Sequence, residues 1–278
     1  MQNNPQSKIT NHKSTILITG ASSGIGAAAA RAFGRAGYRV VLAARRMERL
    51  ERLADEIRGE GGEALPVRTD VSSLDDIENL VRVTLERWGG IDVLFNNAGF
   101  GRMGWLEELD PIEDIQAQIQ VNLLGTIQVT RAALPNMIER RGGHVINMAS
   151  MAGLVATPTY TLYAASKFGV RGFSDALRRE VGGYGIKVSV IYPGGVANEF
   201  GQNARIRRKT GLTTPGFLRL SNEDVALAAL KLARRPRRSL IIPWPMRAVV
   251  WLNAWFPWLI DWGVERYFVS KERQGGGE

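Results

Sequence analysis

The chain reads as an α/β protein, one domain built on a doubly wound, largely parallel sheet. Short β-branched runs alternate with stretches of helical period, a glycine-rich turn joins the first run to an alanine-rich helix, and no internal repeat or long linker divides the 278 residues. With 45% apolar and 23% charged residues the composition is that of an ordinary globular chain that can bury a full core. There is no cysteine, which excludes disulfides and thiolate zinc sites and fits a reducing cytoplasm. His12 and His144 are too few for a multi-histidine metal centre, so no metal is expected, and His144 reads as a satisfied surface residue at the start of a strand. Residues 1–13 are polar, lack the apolar core of a signal peptide and read as a flexible tail.

The first strand spans 14–19, and Gly20-Ala-Ser-Ser-Gly-Ile-Gly26 leads from it into a helix over 27–36. Such glycines let the backbone turn tightly and approach a pyrophosphate, which then lies at the positive end of the helix dipole. The second strand, 39–44, runs into Arg45 and Arg46. At this distance from the turn an NAD site presents a carboxylate to the ribose hydroxyls; two guanidiniums in its place favour NADP(H) over NAD(H). The competing reading makes them the start of a solvated helix.

Residues 47–58 have helical period, 63–69 form a third strand ending at Asp70 and Val71, and a helix over 72–88 is capped by Ser72 or Ser73. The fourth strand, 91–95, runs into the polar turn Asn96-Asn97-Ala98-Gly99. A long helical pattern over 111–140 carries Asn122 in its interior, where the amide competes for backbone groups and needs a reason to stand. A fifth strand over 143–149, a helix through 178, a sixth strand over 186–192 followed by Pro193-Gly194-Gly195, and a short last strand over 239–242 complete the alternation. Residues 196–220, with four basic residues in 205–209, lack periodicity and read as a substrate lid; Ser221 with Asp224 opens one more helix.

The candidate chemistry lies between 147 and 167. Tyr163 and Lys167 are four apart with no Pro or Gly between them, so on a helix they share a face. An ammonium beside a phenol favours phenolate and makes the tyrosine a usable proton donor and acceptor nearer neutrality. Ser150 ends an apolar strand, which puts its hydroxyl at the carboxyl edge where open α/β sheets bind ligands. Alone, the three would be a half-buried tyrosine, a solvated lysine and a turn serine.

They are not alone. Thr19-Gly20-x-x-x-Gly24-x-Gly26, Asn96-Asn-Ala-Gly99, Asn122, Ser150, Tyr163-x-x-x-Lys167 and Pro193-Gly194 stand in an order that resembles the short-chain dehydrogenase/reductase family over residues 14–242. The resemblance implies a Rossmann-like sheet of about seven strands in the order 3-2-1-4-5-6-7. It implies an Asn122-Ser150-Tyr163-Lys167 constellation in which Tyr163 exchanges a proton with the substrate oxygen and Ser150 hydrogen-bonds that oxygen. Lys167 would lower the Tyr163 pKa and hold the nicotinamide ribose, and Asn122 would hold a water that relays protons to Lys167. Dinucleotide contacts are implied for Gly20, Ser22, Ser23, Gly24, Ile25 and Gly26, then for Arg45 and Arg46. Asp70 and Val71 would lie beside the adenine and Asn97, Ala98 and Gly99 against the ribose. Pro193, Gly194 and Val196 would complete the set. The family often has Thr two residues after the Pro-Gly-x-Val segment, and this chain has Asn198.

The net charge of +9 is uneven: 201–278 carries 14 Lys+Arg against 6 Asp+Glu. Such an excess serves an anionic membrane, a phosphorylated ligand or solubility; a nucleic-acid partner is not expected. Residues 243–278 read as a Trp-rich extension of this basic carboxyl-terminal part and hold five of the seven tryptophans, and Trp251, Trp255, Trp258 and Trp262 recur as one stripe of a helix. Its apolar part, 248–260, is short of the ~20 residues needed to span a bilayer. A membrane interface, a second subunit or the protein's own pocket would cover the stripe, and each points to an apolar substrate. The expected protein is a cytoplasmic NADP(H)-dependent oxidoreductase, homodimeric or homotetrameric, that interconverts a hydroxyl and a carbonyl on a lipophilic small molecule. Peripheral membrane contact is the addition the extension suggests. The rival classes are a non-catalytic dinucleotide-binding regulator and a membrane-surface scaffold.

Overall fold

A computed structural model describes residues 13–196 and 216–274 of the chain. Residues 1–12 of the expected tail, most of the expected lid and Asn198 lie outside the described residues. Seven strands, β1 (Thr15–Thr19), β2 (Arg39–Ala44), β3 (Glu63–Arg68), β4 (Val93–Asn96), β5 (Gly143–Met148), β6 (Ile186–Pro193) and β7 (Ser239–Ile242), form one sheet in the order 3-2-1-4-5-6-7. Every pairing is parallel. The strand order runs outward in opposite senses from β1 and β4, which opens a crevice at their carboxyl ends.

The strands are apolar on both faces because helices cover both. Ile16 and Ile18 of β1 face a core shared with α1 (Gly24–Arg35), α2 (Met47–Gly59) and α7 (Asn222–Arg234). Leu17 faces the other core, with α3 (Leu74–Trp88), α5 (Thr126–Glu139) and α6 (Thr161–Val181). All three side chains are fully buried, at about 1.5–3 kcal/mol each, so β1 is held in register from above and below. The expected caps form. Ser73 accepts the Asp76 amide at 3.2 Å, and Ser221 and Asp224 make a capping box.

Three expectations need correction. The pattern over 111–140 is not one regular helix: Pro111–Gln116 and Gln120–Gly125 are π-helical and flank the short α4 (Ala117–Ile119) before α5 begins. The tryptophan stripe is not carried by one helix either. α8 (Met246–Trp255) ends at Phe256, and Pro257 starts α9 (Pro257–Val264), because proline removes the amide a continuing helix needs. A last helix, α10 (Ser270–Gln274), follows a π-helical turn. His144 is buried rather than at the surface, and burial pushes its imidazole down to about 4, with Lys187 adding to the shift.

Candidate active site

At the crevice, Thr19 joins two strands. Its hydroxyl accepts the amides of Asn97 and Ala98, both at 3.0 Å, so the turn after β4 is pinned to the end of β1. Gly20, at φ +68, passes so close that a Cβ would come within 2.8 Å of the Ala98 Cα. A Cβ on Gly26 would collide with the Gly20 carbonyl oxygen. The turn therefore admits no side chain on its inner side, which leaves room for a ligand at the start of α1.

That helix end is prepared for an anion. Ser23 sits at the N-cap but makes no side-chain cap, and the first turn has no acidic residue, so the helix dipole meets no carboxylate there. Arg46 reaches back from the end of β2 and donates to the hydroxyls of Ser22 at 3.0 Å and Ser23 at 2.9 Å. Arg45 is exposed beside it and helps hold Asp70 ionised. Burial opposes that ionisation, but the Ser72 hydroxyl and amide together with Arg45 and Arg68 outweigh it and keep the carboxyl below its usual range. These residues fit a dinucleotide.

On the other side of the crevice Ser150 leaves β5 and caps a short 3₁₀ turn, accepting the Ala152 amide at 3.2 Å. Tyr163 and Lys167 lie on the buried face of α6. Ser150 hydrogen-bonds the Tyr163 phenol, and Lys167 donates from Nζ to the Met148 carbonyl at 3.0 Å, with Nζ 5.6 Å from the Tyr163 ring centre. Burial, reinforced by Tyr160, raises the phenol above its ordinary value despite the Ser150 bond, and burial lowers the ammonium to about 8. The expectation that Lys167 brings the phenol down is thus reversed here: desolvation disfavours both charged forms and wins.

A cleft of about 1500 Å³ runs from the Gly20–Ile25 turn to this cluster. It is lined by Arg45, Arg46, Asp70, Val71, Asn97, Ala98, Gly99, Ser150, Tyr163, Lys167, Pro193, Gly194 and Val196. Gly26 stands behind the turn. Asn122 stands behind the wall: its amide accepts the Phe100 N–H at 2.9 Å and donates to the Phe100 carbonyl at 2.8 Å and to the Ser166 hydroxyl at 3.3 Å. This gives a structural reason for an asparagine inside the helical run, since it braces the chain leaving β4. Sequence reasoning assigned no role to Thr19 and did not place Met246 and Val249 of α8 on the cleft wall, nor Arg102 and Met103 individually. Only Thr19, already inside the glycine motif, carried a signal.

The short chain dehydrogenase family model matches residues 14–209, which contain the glycine turn and the Ser150-Tyr163-Lys167 cluster. The chain belongs to the short-chain dehydrogenase family. A member from Pseudocercospora fijiensis is 39% identical over 188 residues, 67% of this chain and 61% of that one. The chain spans less than two thirds of that relative's length. A family member from Burkholderia phymatum, solved in complex with NAD, superposes with a TM-score of 0.78 at 30% identity, covering 87% of this chain and 93% of that one. A metagenomic short-chain oxidoreductase, solved in complex with NADP, gives 0.69 at 33% identity over 82% of this chain and 95% of that one. Both dinucleotides thus occur among the family's solved structures.

Proposed function

We propose that this family member is an NADP(H)-dependent oxidoreductase that interconverts a hydroxyl and a carbonyl on a lipophilic small molecule. The observation that carries the reading is the Ser150–Tyr163 hydrogen bond beside buried Lys167, at one end of a cleft whose other end is an uncapped helix N-terminus flanked by Arg45 and Arg46. When bound, the dinucleotide supplies or takes up the hydride. Gly20, Ser22, Ser23, Gly24 and Ile25 would hold its pyrophosphate against α1. Arg45 and Arg46 would hold the 2′-phosphate by charge-assisted bonds, and Asp70, Val71, Asn97, Ala98 and Gly99 would flank the adenosine half.

Tyr163 then donates its proton to the carbonyl oxygen as charge develops there, and the Ser150 hydroxyl donates a hydrogen bond to the same atom. A phenol held above its ordinary value stays protonated through neutral pH, which suits the acid of carbonyl reduction. Lys167, fixed by Met148, presents its ammonium to the ribose, and Asn122 acts as a positioning residue behind the wall. Met103, Val155 and Tyr160 make the substrate end largely apolar, which supports a lipophilic substrate. The regulator reading is weaker, because dinucleotide sensing needs no Ser150-Tyr163-Lys167 cluster.

A thermal-shift comparison tests the cofactor. NADPH should raise the melting temperature more than NADH, and Arg45→Ala should remove most of the difference, since a hydrogen bond to a charged group contributes about 1.5–3 kcal/mol. Equal protection by both dinucleotides in the native protein would refute the NADP assignment.

A further inference from the structure

The first two helices after β7 do not behave like the other helices of the domain. α1 buries seven residues against the sheet, whereas α8 and α9 bury none. Their only polar side chains are Arg247, Asn253 and Asp261, so both are apolar around nearly their whole circumference. A helix of that kind belongs in a protein core or in lipid, and these lie at the surface. Trp251, Trp255, Trp258 and Trp262 are 58–65% exposed and Trp244 is 77% exposed. The rings form a continuous patch: Trp251 lies 6.5 Å from Trp255 and 6.0 Å from Phe256, and Phe256 lies 5.5 Å from Trp258.

We propose that α8 and α9 form a monotopic docking element that lies in the headgroup region of an anionic bilayer. Charge separates this occupant from a second copy of the chain. The whole chain carries a net charge of +9, so a second copy brings the same sign and an anionic lipid surface the opposite one, while within α8 and α9 Arg247 and Asp261 balance each other. Tryptophan also favours the lipid–water boundary, where an amphipathic ring meets both phases. At 1.5 Å per residue α8 and α9 are roughly 15 Å and 12 Å long, half or less of a hydrocarbon core, and no helix among the described residues is long and apolar enough to cross a membrane. The element therefore dips into one leaflet.

Its placement ties docking to the cleft. At one end Pro243 packs beside Gly194, with its Cδ 3.2 Å from where a Gly194 Cβ would stand. At the other, Arg273 bonds Glu107 at 3.0 Å and lies 4.1 Å above the Trp105 ring, on the chain that leaves β4. On α8 the cleft-lining Met246 and Val249 lie on the opposite side of the helix from Trp251 and Trp255. A docked protein holds the substrate end of its cleft against the membrane, so an apolar substrate dissolved in lipid reaches it without crossing water. This last step rests on the oxidoreductase reading; the docking does not.

The test is co-sedimentation of the full chain with vesicles of phosphatidylcholine alone and of phosphatidylcholine with an equal part of phosphatidylglycerol. The native protein should pellet with the anionic vesicles and be released by high salt. The double variant Trp255→Ser/Trp258→Ser should bind at least about tenfold more weakly, given the apolar area it removes. Leu227→Ser, a change at a 58% exposed apolar residue of α7, should bind like the native protein. Both variants and the parent should melt alike, since the altered side chains are solvent-exposed. Failure of the native protein to pellet, equal binding by the double variant, or a dimer that the double variant dissolves without any vesicle binding would overturn the proposal. Vesicle binding without any protection by NADPH would leave docking standing and remove the dinucleotide reading alone.

Discussion

Lys167 is where burial and the proposed function pull against each other. The ammonium is 4% exposed, makes one hydrogen bond to Met148 and is lowered from 10.5 to about 8 by desolvation. Between those values the unfolded chain keeps a proton that the folded chain has released, so stability rises with pH across that window. Below about pH 8 the folded protein carries the full cost of a buried charge, on the order of 3 kcal/mol for such a shift. The hydrogen bond returns about 1 kcal/mol. Lys167→Met should therefore melt higher than the native protein near pH 7, with the gain fading by about pH 10, while turnover is lost. A melting temperature that falls at neutral pH would show that the lysine stabilises the fold. That the serine and tyrosine lie together beside it was legible, but the direction of the tyrosine's shift was not. Spacing shows which groups are close and says nothing of how much water each keeps.

At the scale of elements, sheet and turns followed from pattern because one local cause fixed each. The β7 run matched its structure to the residue, and the glycine turn stands where its spacing put it. The turn makes the sharpest prediction at this scale. Gly26→Ala places a methyl group against the Gly20 carbonyl and within 2.8 Å of Asn97 Nδ2, so it should destabilise by about 1–3 kcal/mol and abolish protection by NADPH. Gly59→Ala, with open space at the end of α2, should leave the melting temperature unchanged or slightly raised. If both variants melt and bind alike, the close packing of the turn is not what shapes the site. The π-helical segments around Asn122 were not legible, because they depend on where the chain leaving β4 meets the helix. The break at Pro257 was visible as a proline inside an apolar run, yet the even spacing of the tryptophans suggested continuity across it.

For the whole molecule, the carboxyl ends of six strands and one long helix gather residues from 20 to 196 around one cleft, and order along the chain was enough to foresee that gathering. What order could not show is depth. Asn122 and Gly26 lie behind the cleft wall, His144 is buried near the amino ends of the strands, and the carboxyl-terminal helices contribute Met246 and Val249 to the lining while their tryptophans stay exposed. All four facts come from packing between segments far apart in sequence. The most direct measurement is NADPH consumption by the native protein and by Tyr163→Phe against a panel of apolar aldehydes and ketones. The native protein should reduce at least one of them, and the variant should be slower by about 10²–10⁴-fold, the usual contribution of a positioned acid, while NADPH still raises its melting temperature. A variant that turns over the same carbonyl at the native rate would contradict Tyr163 as the proton donor.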